Sequence, residues 1–252
     1  MTELNFDAVI FDMDGVVTDT AVLHSKSWQE MFNKYLKYIE SESDVPFVEF
    51  THSDDYLPFV DGKPRYKGVE AFLESRQIRL PYGDPGDCFK ELTVCGLGNE
   101  KNRLFGEMLK DSEVKTFEST ISLIEALLEK GVKIGLASSS KNSEAVLKAA
   151  KIKYLFETIV DGIVSAREKL NGKPSPDIFT FAADNLGVKY EKSVVVEDAA
   201  SGVKAGKTGN FGFVIGIARE NNENILKENG ADLVVNDLEE VNISLIEKWF
   251  SK

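Results

Sequence analysis

Asp12 and Asp14 stand two residues apart in FDAVIFDMDGVV, where a short apolar run gives way to Gly15. Residues 6 to 11 read as a buried strand, which puts Asp12 at its carboxyl end and Asp14 in the turn that follows. Open α/β sheets hold their ligands at that end of the strands. An aspartate pair there can gather a hard divalent cation through oxygen, and one carboxylate can attack phosphorus while the other handles the proton. The spacing points to phosphoryl-transfer chemistry.

Three further groups fall at the ends of expected strands. Ser138 closes KIGLAS and leads into Ser139, Ser140, Lys141 and Asn142, which offer hydroxyls, an amide, an ammonium and the amides of a helix N-terminus to phosphate oxygens. Lys173 lies in LNGKPSPDIF, where Pro174 biases it to an extended conformation that can project its side chain from a loop. SVVVEDAASG ends an all-apolar strand in Glu197 and Asp198, carboxylates that cannot be buried unpaired and that a metal would satisfy. Taken singly, these read as a helix cap, a solvated lysine and a polar strand end. Their convergence on one edge of one sheet reads as a site.

The elements that must position these groups alternate between strand and helix. Strands are expected over residues 132–140, 156–162, 193–199, 211–218 and 233–237. Ile121, Ile124 and Leu128 mark the face of a helix ended by Gly131, Val146 and Ala150 recur in the next, and Pro176 starts another. This pattern predicts an α/β fold, a doubly wound Rossmann-like parallel sheet with helices on both faces. Residues 1–20 and 114–252 form that core, and residues 21–113 interrupt it as a mainly helical insertion with helices expected at 24–41, 67–78 and 100–111. On connections near 18–22 and 111–117, the insertion is placed to serve as a cap that excludes water and opens for exchange.

A formal net charge of −12 over 252 residues argues against nucleic acid, whose backbone needs a basic footprint. No apolar stretch approaches the ~18 residues of a membrane span, and Glu3 and Asp7 interrupt any leader-like segment, so a cytoplasmic protein with no membrane partner is expected. Cys88 and Cys95, outside any C-x-x-C spacing, read as reduced thiols of minor structural weight. An anionic substrate on so acidic a chain demands a bound divalent ion and a few placed lysines and arginines.

The run DMDGV at 12–16, the strand-ending Ser138, Lys173 in GKP and the Glu197–Asp198 pair resemble, in order, the four signature motifs of the haloacid dehalogenase superfamily, across nearly the whole chain. The helical insertion after the first motif, His24 in TDTAVLHSKSW, ASSSKN and GKPSPDIF look like its β-phosphoglucomutase-like phosphatase branch. The stretch from YLPFVDGKPRYKG to ELTVCGLGNEKN is similar to sugar-phosphate hydrolase members associated with disaccharide metabolism.

The resemblance implies that Asp12 is the nucleophile and forms an aspartyl phosphate, while Asp14 protonates the leaving alcohol and then takes a proton from the acceptor. It implies Mg2+ held by the Asp12 carboxylate, the Asp14 carbonyl and Asp198, with Glu197 in support, and Ser138 and Lys173 on the transferring phosphoryl oxygens. Gly15, Ser139, Ser140, Lys141 and Asn142 would face the substrate from the core. From the insertion, His24 would gate the proton transfer of Asp14, Arg65 would clamp a second phosphate or the sugar, and Lys101 would reach the site. The expected activity is Mg2+-dependent phosphoryl transfer from a small phosphorylated metabolite, a sugar phosphate, by a monomer, ending in hydrolysis. Two alternatives stay open: return of the phosphoryl group to a sugar hydroxyl, as in a β-phosphoglucomutase, and a phospho-acceptor signalling or binding module. The signalling module fits less well, because its acceptor aspartate lies on a later strand and it carries no cap.

Overall fold

The computed structural model describes residues 4–42, 46–110 and 113–251. The chain forms two compact units, Met1–Asp19 with Val114–Lys252, and Thr20–Glu113. In the first, six strands build one sheet: β1 (Ala8–Phe11), β2 (Lys133–Ala137), β3 (Thr158–Val160), β4 (Ser193–Glu197), β5 (Phe213–Ile217) and β6 (Leu233–Val235). Their order is β3-β2-β1-β4-β5-β6 and every pair is parallel. A parallel sheet covered on both faces needs unbroken apolar strands, which is how AVIF and SVVVE read. The strands stop one to three residues short of their expected ends, β2 for example at Ala137 rather than 140, where the serine hydroxyls after Ala137 turn the chain out of the ladder.

Strand order reverses at β1, the topological switch point of a doubly wound sheet. Phe11 is level with Leu136 on one side and Val196 on the other, so the next residues out, Asp12, Ala137 and Glu197, emerge in one row.

In the second unit α1 (Ala21–Glu42), α2 (Arg65–Ser75) and α3 (Val94–Lys110) pack around a core that includes Trp28, Phe32, Phe50 and Phe72. The Phe32 ring lies 4.0 Å from that of Phe72 and 5.0 Å from that of Phe50. Two features differ from the sequence reading. Helix α3 begins at Val94 instead of 100, because Gly96 and Gly98 are helical; a side chain at Gly98 would meet Tyr66 at 2.7 Å. A π-helical stretch, His52–Val60, occupies what reads as a loop around Pro58, tied down by Asp55 to Arg76 at 2.8 Å. The expected helix end at 111 and the start of the second connection, 111–112, lie outside the described residues.

Back in the first unit, the sheet carries α4 (Glu118–Glu129), α5 (Ser143–Ala149), α6 (Gly162–Arg167), α7 (Asp177–Leu186), α8 (Ala200–Thr208), α9 (Glu223–Glu228) and α10 (Ile243–Phe250). Helix α4 buries Thr120, Leu123, Ile124 and Leu127, whereas Leu128, expected on the buried face, is 41% exposed. The two connections to the second unit run side by side: Thr18 pairs with Thr116, the Asp19 amide donates to the Lys115 carbonyl at 2.9 Å, and the Phe117 amide donates to the Val17 carbonyl at 3.1 Å. Among the described residues no helix is long and apolar enough to cross a membrane.

Candidate active site

Asp12 is the first residue beyond β1, and its amide still donates to the Val196 carbonyl of β4 at 2.9 Å. The chain then turns sharply. Val17 and Thr18 amides both donate to the Met13 carbonyl at 2.9 Å, and Gly15 adopts φ +86°, a left-handed conformation that L side chains rarely take. A Cβ on Gly15 would also lie 1.8 Å from Asp198 Oδ2, so the turn bearing Asp14 and the loop bearing Asp198 touch here.

Lys173 joins three strand ends. Its Nζ donates to Asp12 Oδ1 at 2.5 Å, to Glu197 Oε1, and to the Ala137 carbonyl at 3.4 Å. The peptide between Lys173 and Pro174 is cis, and the ammonium is 4.9 Å from the Phe179 ring. Burial disfavours this ammonium, but Asp12 and Glu197 outweigh it and its pKa is raised. Burial also pushes the Asp12 carboxyl well above its ordinary value; Lys173 opposes that shift, while Glu197 and Asp14 add to it.

Glu197 is committed at both oxygens. Oε1 accepts from Lys173, and Oε2 accepts the amides of Asp198 and Ala199, each at 2.9 Å. Ligand oxygens of Asp12, Glu197 and Asp198 all lie within 4.8 Å of one another. These are hard oxygen donors in a cluster whose carboxylates outnumber its ammonium, which fits a divalent cation, with Asp12 and Asp198 the carboxylates best disposed to hold it. Glu197 serves to grip Lys173.

The second strand end supplies the hydroxyls. Ser138 is buried and its Oγ accepts the Ser140 amide at 3.1 Å; Ser140 Oγ in turn accepts the Asn142 amide at 3.1 Å. Gly162, whose amide donates to the Ser140 carbonyl at 2.9 Å, leaves room for Lys141, since a Cβ there would meet Lys141 Cγ at 2.9 Å. Ser139, Ser140, Lys141 and Asn142 are half-buried on the loop entering α5. Asp12, Asp14, Gly15, Ser138 to Asn142, Lys173, Glu197 and Asp198 therefore all sit at the carboxyl edge of β1, β2 and β4.

His24, Arg65 and Lys101 belong to the second unit. Lys101 Nζ lies 2.6 Å from His24 Nδ1, 4.8 Å from the Phe105 ring and 5.3 Å from that of Trp28. An ammonium offers only donors, so Nδ1 is the acceptor and the ring proton of a neutral His24 resides on Nε2. Arg65 donates to Asn102 Oδ1 at 2.7 Å and to Asn99 Oδ1 at 3.5 Å, on the turn of α3 that also carries Lys101. Burial lowers the pKa of its guanidinium, and both of these partners are neutral amides.

The sequence reading passed over Arg219 and Asn222, on the turn after β5. Arg219 Nε donates to the Gly15 carbonyl at 3.1 Å, and Asn222 Nδ2 donates to the Asp198 carbonyl at 3.1 Å. A polar residue ending the apolar run FGFVIGIA was the available signal, the same one that marks Asp12 and Glu197.

The haloacid dehalogenase-like hydrolase family model matches residues 6–210. The chain is 42% identical over 237 residues to the beta-phosphoglucomutase of Mycobacterium bovis, covering 93% of this chain and 90% of that protein. It is 30% identical over 238 residues to the phosphorylated carbohydrates phosphatase of Thermotoga maritima, covering 94% of this chain and 97% of that protein. The crystal structure of the beta-phosphoglucomutase of Clostridium difficile aligns with a TM-score of 0.75 at 25% identity, covering 98% of this chain and 97% of that one.

Proposed function

The chain belongs to the haloacid dehalogenase-like hydrolase family, and we propose that it transfers the phosphoryl group of a sugar phosphate to Asp12 and then to water. The observation that carries this reading is the row of Asp12, Lys173 and Glu197 at the switch point of the sheet, with Asp198 alongside. Lys173 holds Asp12 in place and opposes its protonation, leaving a carboxylate oxygen to attack phosphorus in line. Asp14, on the adjoining turn, gives a proton to the leaving oxygen and then removes one from the acceptor. Ser138 and the loop to Asn142 receive the phosphoryl oxygens through hydroxyls and amides. Mg2+, with Asp12, the Asp14 carbonyl and Asp198 to hold it, would neutralise charge on the transferring group.

In this reading residues 1–20 and 114–252 are the catalytic core and 21–113 a cap that selects the sugar through Arg65, Lys101 and the Nε2 proton of His24. The protein acts as a cytoplasmic monomer on a diffusible metabolite. A second reading, in which the aspartyl phosphate returns its phosphoryl group to another hydroxyl of the same sugar, is favoured by the 42% identity to a mycobacterial beta-phosphoglucomutase. It is favoured too by Arg65 of α2 reaching Asn99 and Asn102, on the turn of α3 that carries Lys101. Incubation with Mg2+ and β-glucose 1-phosphate, primed with glucose 1,6-bisphosphate, separates the two when inorganic phosphate and glucose 6-phosphate are followed together. Phosphate release without isomerisation is expected for the phosphatase, and fast glucose 6-phosphate with little free phosphate for the mutase. Asp12→Asn abolishes both activities, and full activity in that variant would overturn the mechanism.

A further inference from the structure

We propose that Arg219 and Asn222 are positioning residues, which together hold the two acid-bearing loops at the separation a divalent cation needs; this rests on the cation reading above. A single turn after β5 grips both loops by their backbones. Arg219 Nε donates to the Gly15 carbonyl at 3.1 Å, on the turn of Asp12 and Asp14. Asn222 Nδ2 donates to the Asp198 carbonyl at 3.1 Å, on the loop after β4. The far side of the guanidinium is anchored beyond β6, with Nη1 donating to Asp237 Oδ2 at 2.8 Å and to the Asn236 carbonyl at 3.3 Å, and its plane rests 3.7 Å from the Phe117 ring. Burial alone raises the Asp237 carboxyl, yet hydrogen bonds from Ser119 and Arg219 hold it below its ordinary value, so the anchor is ionised.

Neither side chain serves its own neighbourhood. Asn222 occupies the N-cap position of α9 but makes no capping bond, although capping is what asparagine usually does there. Arg219 reaches a carbonyl 204 residues away in the chain. Each leaves a buried atom, Arg219 Nη2 and Asn222 Oδ1, without a hydrogen-bond partner among the described residues, which is unfavourable for a residue kept for stability alone. The two gripped loops meet where Gly15 faces Asp198 Oδ2, so a shift of either carbonyl alters the gap between Asp12 and Asp198.

The test is direct Mn2+ binding to the metal-free full-length protein, read from the electron paramagnetic resonance signal of unbound Mn2+, with steady-state kinetics at saturating Mg2+. Arg219→Met keeps the stem over Phe117 and removes the donors; Asn222→Leu keeps the volume and removes the amide. Each is expected to weaken Mn2+ binding by about 10- to 100-fold and to lower kcat while KM for the sugar phosphate holds. The two variants test the idea independently, with circular dichroism confirming the fold of each. Folded variants that bind Mn2+ and turn over like wild type overturn the inference even if they melt earlier. Wild-type protein that binds no Mn2+ overturns the cation reading and the inference with it.

Discussion

With Asp12 on one side and Glu197 on the other, the Lys173 side chain is 1% exposed and its ammonium is the counter-charge for both. Replacing it with methionine leaves two buried carboxylates facing each other, and breaking such a pair costs about 3–5 kcal/mol at neutral pH. Asp12 has a folded-state pKa above its unfolded value, so its protonated form favours folding at low pH and that contribution is lost as pH rises through the folded value. Loss of Lys173 raises the folded value further, and the deficit of Lys173→Met should therefore grow from acid to neutral pH. Urea denaturation of metal-free protein across that range measures it, and a deficit independent of pH would contradict the charge argument. The acids themselves were legible in the sequence, because a carboxylate that ends an apolar run has few places to go. The contacts of Lys173 and Arg219 were not, since their partners lie 161 and 204 residues away and are fixed only by sheet order.

Parallel register, more than any one loop, aligns Asp12 with Glu197, and helix α8 locks that alignment from behind. A Cβ on Gly202 in its first turn would lie 1.7 Å from Glu197 Oε1. Gly202→Ala should displace Glu197 from Lys173, destabilise the protein by about 1–3 kcal/mol as overpacking does, and lower kcat. Chemical denaturation and kinetics check this together; wild-type values in both would mean that Glu197 has room to move. At this scale the strands were readable as apolar runs, and the long helix α1 through its periodicity. Helix α3 was truncated in the reading because Gly96 and Gly98 look like breakers when their close neighbours, the Glu91 carbonyl and the Tyr66 ring, are out of view. The six-residue helices α6 and α9 are too short to show a period.

The whole chain carries a net charge of −12, yet the proposed function needs its site to admit an anion, so Lys173, Lys141 and the proposed divalent ion would have to reverse the field of the molecule locally. The alternation that predicts a doubly wound sheet also exposes the interruption after β1, since a parallel neighbour for β1 is reached only beyond residue 113. The interruption leaves and rejoins the first unit at adjacent points, Thr18 opposite Thr116 and Asp19 bonded to Lys115. In chain connectivity those 94 residues, Thr20–Glu113, are a single insert between two paired connections. A version with a short Asn-Gly turn in their place should fold with its sheet intact and bind Mn2+, while losing discrimination among sugar phosphates. Far-UV circular dichroism and Mn2+ titration decide this, and an unfolded product would show that the first unit depends on the second. Because closing a loop between fixed ends costs free energy only as the logarithm of its length, the join accepts inserts of almost any size. Under the proposed function the segment is an exchangeable cassette, and grafting one from a relative should change the sugar accepted while the residues proposed for phosphoryl transfer stay on the first unit.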